Sequence, residues 1–85
     1  MFMNKTVTEK NNICGEKIAE LRKNTAPKLS QRMLAEKLQL LGIDVDKNAI
    51  QRIESGQRFV TDLELLALAK VFNIKCDELL QGYKF

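Results

Sequence analysis

The chain contains no histidine, which removes the side chain most often used for proton transfer near neutral pH and the commonest zinc ligand. Its only cysteines, Cys14 and Cys76, stand far apart with no Cys-x-x-Cys pair. Neither a zinc site nor a redox couple takes shape from them, and both read as small buried or half-buried thiols. There is no glycine-rich phosphate loop and no cluster of metal ligands, and the Ser, Lys and Cys side chains have no visible partner to activate them. The expectation is a protein without enzymatic chemistry, cofactor or metal. No apolar run approaches the roughly 20 residues that cross a bilayer. The opening MFMNKTVTEKNN also lacks the apolar stretch of a signal peptide, so a cytoplasmic location is expected.

What is present is a single small domain of 85 residues, with room for one core. A core of this size seldom supplies more than about 3 to 5 kcal/mol of net stability without help, so well-capped helices or dimerisation matter. The net charge of +3 is modest, but it is unevenly spread. Residues 22–58 carry eight Lys or Arg against four Asp or Glu, whereas residues 59–85 carry three against four. An anionic partner would be drawn to the middle of the chain, although a solvated basic face has the same composition.

Residues 1–12 are polar and aperiodic and read as a flexible tail, or as an arm that orders only on binding. From Ile13 the pattern turns helical. Cys14, Ile18 and Leu21 recur at steps of four and three, and the helix ends near the only proline, Pro27. Ser30 is a good N-cap for a second helix through Leu34, Ala35, Leu38 and Leu41, with Gly42 suited to close it. Asp46 caps a third helix that stops at Gly56. Thr61-Asp-Leu-Glu64 forms a capping box for a fourth helix, apolar around most of its girth and expected to be the most buried. Asp77-Glu-Leu-Leu begins a short fifth helix with Lys75 or Cys76 at a poor cap. The fold predicted is an all-α, five-helix bundle over residues 13–81, followed by a short tail, 82–85.

The third helix carries the clearest polarity. At about 100° per residue, and with Lys47 as zero, Gln51, Ser55, Asn48 and Arg52 fall between about 40° and 140°. Ala49, Ile53 and Ile50 occupy the opposite side. Asn and Gln make paired hydrogen bonds to adenine, Arg and Lys to guanine, and the major groove of DNA admits one helix. An ordinary solvated face would mix Glu with Lys at i,i+4 spacing, and this one holds no acid.

LSQRMLAEKL followed by AIQRIESGQR resembles the helix-turn-helix of the Cro and phage-repressor type, the XRE-like family. The likeness continues through VTDLELLALAKVFNIKCDELL and covers about residues 13 to 81. It implies a lambda-repressor-like domain that binds a double-stranded DNA operator as a transcriptional regulator, most often a repressor. It places Gln31 on a phosphate and Lys47, Asn48 and Arg52 at base edges, with Gln51 beside them on the same face. Ser55 and Arg58 fall on the segment that meets phosphates on the far side. It also implies an ion pair between Arg22 and Glu54.

Leu34 and Ile50 are sixteen positions apart, about five more than the usual spacing of this pattern. The extra residues, around Leu40 to Val45, must lengthen helix two, expand the loop, or both, and burial of Ile43 and Val45 would restore rigidity there. A homodimer is expected, at least on DNA, through helix five and the Tyr83 to Phe85 tail. The alternative is an antitoxin or protein-binding adaptor on the same scaffold, using its apolar C-terminal end.

Overall fold

Local cap chemistry decides where three helices of this fold begin. The computed structural model describes residues 10–82, and those residues form α1 (Gly15–Lys23), α2 (Gln31–Leu40), α3 (Lys47–Glu54), α4 (Asp62–Phe72) and α5 (Cys76–Leu79), with no strand among them. The Ser30 hydroxyl accepts from the Met33 amide at 3.0 Å, and the Asp46 carboxylate from the Ala49 amide at 2.8 Å. Thr61 and Glu64 close the capping box reciprocally, at 3.2 and 3.0 Å. Each such cap contributes about 1 kcal/mol. At the poorly capped start of α5, the Lys75 amide donates to the Glu78 carboxylate at 3.2 Å.

The helix ends follow the same logic. Gly42 and Gly56 both take φ 85° and Asn73 takes φ 56°, left-handed geometry that turns the chain out of α2, α3 and α4. Leu41 belongs to the turn after α2 and not to its buried stripe, and is 41% exposed.

α3 packs against both α2 and α1, and α4 against α2 and α5. The core joins Cys14 and Ile18 of the first helical segment to Leu34, Ala35 and Leu38 of α2, Ile50 and Ile53 of α3, Leu68 of α4 and Leu79 of α5. Burying each Leu or Ile contributes about 1.5 to 3 kcal/mol. Burial also pushes the Cys14 thiol pKa up, which keeps it protonated and unreactive.

α4 is less buried than its composition predicts. Ala67, Leu68 and Ala69 are covered, but Leu63 is 67% and Leu66 60% exposed. Among the described residues the main partners of α4 are α2 and α5, and in a domain this small an all-round apolar helix leaves the side turned away from them exposed.

Two further features set the position of α3. The connection 41–46 is anchored at several points: Val45 is buried, the Ile43 amide donates to the Leu38 carbonyl at 3.0 Å, and the Gln39 side-chain amide donates to the Val45 carbonyl at 2.7 Å. Hydrogen bonds that position α3 also come from ahead of the helical periodicity. The Asn12 side-chain amide donates to the carbonyls of Ile53 at 3.0 Å and Arg58 at 2.8 Å, while its oxygen accepts from the Gly15 amide at 2.8 Å. Residues 1–9 of the expected tail, and Tyr83 to Phe85, lie outside the described residues.

Candidate nucleic-acid interface

The phase of α3 sorts its side chains into two sets. Ala49, Ile50 and Ile53 are 6%, 0% and 1% exposed, whereas Lys47, Asn48, Gln51, Arg52 and the following Ser55 are all exposed. The structure thus brings these five together on one outward face. Among the described residues neither Lys47 nor Arg52 enters an ion pair, so both charges face solvent uncompensated. The Ser55 hydroxyl donates to the Arg52 carbonyl at 3.2 Å, and that carbonyl also accepts from the amides of Gln57 and Arg58. The chain after α3 is thereby folded back onto the helix end.

Glu54, the one acid within α3, is turned away from this face. Its carboxylate takes the Arg22 Nε at 2.6 Å and Nη2 at 2.9 Å, and the Gln31 side-chain amide at 2.9 Å. Arg22 spends its remaining terminal nitrogen on the Leu29 carbonyl at 3.1 Å. The Glu54 hydrogen bond holds the Arg22 pKa above its ordinary value. A paired, buried carboxylate adds no net negative charge to the outer face.

Of the three residues assigned to phosphates, only Ser55 is fully exposed. Gln31 is half-buried at the start of α2, and its amide is occupied by Glu54. Arg58 forms a two-pronged contact with Glu64 at 2.9 and 3.1 Å and also donates to the Phe59 carbonyl. Among the described residues its Nε–H and one Nη2–H donate no hydrogen bond, and the side chain is 29% exposed. Sequence reasoning missed the Asn12 clamp and the second duty of Glu64. A lone Asn in a polar stretch and an Arg six residues before a Glu carry no local signal. The double use of Glu64 could be suspected only from its place in a capping box beside a basic segment.

The Arg58 guanidinium holds the Glu64 carboxyl below the usual carboxylate range. Because the folded chain releases that proton at lower pH than the unfolded chain, the contribution to stability is complete above the usual range. It is lost as pH falls through the folded value. Glu64→Gln is therefore expected to flatten the acid limb of a melting-temperature profile while changing little of its shape near neutrality. An acid limb as steep as the parent's would contradict this.

The arrangement presents amide and cationic donors on a rigid helix whose exposed length, about 12 Å, suits one face of a DNA groove. No helix among the described residues is long and apolar enough to cross a membrane. A family model described as helix-turn-helix matches residues 18–79. No curated protein and no solved structure matches the chain.

Proposed function

Since the chain belongs to the helix-turn-helix family and is thereby a DNA-binding transcription regulator, we propose that it is a sequence-specific repressor acting in the cytoplasm as a homodimer on a near-palindromic operator. The observation that carries this reading is the outer face of α3, where amide and cationic side chains stand exposed and the only acid is paired behind them. In this reading Lys47, Asn48, Gln51 and Arg52 touch base edges. Ser55, Arg58 and the α2 start at Gln31 meet phosphates. Glu64 then fixes the Arg58 fork beside the backbone instead of leaving it to search many rotamers. Two copies would set their α3 helices about 34 Å apart, one turn of the duplex.

The test uses operator fragments retained from random genomic DNA by the purified chain. Arg52→Ala is expected to weaken binding by about 1 to 3 kcal/mol, roughly 5- to 150-fold, and to relax sequence preference. Arg58→Ala should weaken all sequences evenly and reduce the salt slope by about 1. Affinities of both variants equal to the parent's would remove the assignment. Binding of the parent should also fall steeply between low and moderate salt. A chain acting as an antitoxin or adaptor would instead hold an apolar protein partner with little response to salt.

A further inference from the structure

The outer side of α4 carries large apolar side chains that the fold leaves in water. Phe59 is 71%, Leu63 67% and Leu66 60% exposed. Counted from Asp62 at about 100° per residue, Leu66 lies near 40°, Lys70 near 80° and Leu63 near 100°. Asp62 and Lys70 are exposed as well, and among the described residues neither enters an ion pair. One helix face therefore reads acid, leucine, leucine, base, with Phe59 just ahead of its start.

The order of charges on that face is its own complement when reversed. Asp62 and Lys70 each lie four residues from Leu66, about 6 Å along the axis. A two-fold axis through Leu66 would set two α4 helices antiparallel, Leu66 against Leu66. Asp62 of each copy would then stand opposite Lys70 of the other, twice over. A patch that complements itself in this way is what an isologous dimer requires, and an unrelated partner would give no reason for the symmetry. We propose that the Phe59–Leu63–Leu66 face of α4, bounded by Asp62 and Lys70, is the surface through which two copies of this chain pair.

The size of the face sets how that pairing behaves. Three such side chains expose on the order of 300 to 400 Å², the range of a functional patch on a monomer. Doubled across the axis this gives about 600 to 800 Å², short of the roughly 1,200 to 2,000 Å² of a stable interface. Pairing is therefore weak in free solution and is completed when neighbouring half-sites hold two copies together, which raises their effective concentration. This cooperative part rests on the operator reading above, whereas the pairing does not.

The test compares the full chain with Leu66→Glu, Asp62→Lys, Lys70→Asp and the double reversal Asp62→Lys/Lys70→Asp. Each is measured on a selected two-half-site operator, on its isolated half-site and by sedimentation across concentration. The parent is expected to prefer the whole operator by roughly tenfold or more. Leu66→Glu and each single reversal should lose that preference while binding the half-site as the parent does, and the double reversal should regain it. A preference that survives Leu66→Glu, or is not regained by the double reversal, overturns the assignment. If the parent binds no DNA at all, the operator reading fails and sedimentation alone decides. A concentration-dependent dimer abolished by Leu66→Glu supports the face, and a strict monomer refutes it and leaves the face to a different protein.

Discussion

Replacing Glu54 with alanine is expected to lower the unfolding free energy by about 3 to 5 kcal/mol. The side chains of Arg22 and Glu54 are only 10% and 9% exposed, and three hydrogen bonds converge on the carboxylate. Without it, the Arg22 guanidinium keeps only the Leu29 carbonyl and the Gln31 amide loses its acceptor. The loss exceeds that of an exposed pair, worth about 0 to 1 kcal/mol, because an unpaired charge must be desolvated. Against a total stability of about 5 to 15 kcal/mol for a small protein, it is a large fraction. Chemical denaturation measures it directly. Exchanging both partners for apolar residues should cost less than the sum of the single changes, since no charge is then stranded. A Glu54→Ala chain within 1 kcal/mol of the parent would show that the pair is not the brace its geometry describes.

Gly15→Ala is the second large effect expected, a loss of about 2 to 3 kcal/mol. A β-carbon at Gly15 would collide with the Ile53 carbonyl oxygen and lie 3.0 Å from that of Glu54. Both obstacles are backbone, so no side chain can swing aside. Alanine's better helix propensity returns about 1 kcal/mol at most, and less at the first position of a helix. The same residue donates its amide to Asn12, so relieving the clash by moving α1 also strains the clamp on the end of α3. The measurement is the denaturation midpoint, and a variant as stable as the parent would mean that the two backbones separate without cost.

The parts of this molecule that were legible in its sequence are those set by near neighbours along the chain. Ser30, Asp46 and the Thr61–Glu64 box cap helices because their side chains reach amides three residues away, and Gly42, Gly56 and Asn73 end them because of their own φ. The two-sidedness of α3 follows from its 3.6-residue period. The engagement of Gln31 by Glu54, the fork of Arg58 on Glu64 and the reach of Asn12 to Ile53 span 6 to 41 positions and depend on how the helices are set against one another. The exposure of Leu63 and Leu66 was hidden for a related reason. Periodicity says which residues share a stripe, but only the packed neighbours decide which stripe is covered.

The Asn12 clamp has a mechanical consequence. The Asn11 amide donates to the Gly56 carbonyl at 2.7 Å and its side chain to the Gln57 carbonyl at 2.9 Å, beside the two bonds Asn12 sends to Ile53 and Arg58. The Lys10 side chain lies over Gly56. Four hydrogen bonds thus moor the chain ahead of α1 to the far end of α3. A pull applied at Lys10 is therefore shared between the helix that bears Lys47, Asn48, Gln51 and Arg52 and α1, which Lys10 holds through Glu16 at 2.7 Å and Asn12 through the Gly15 amide.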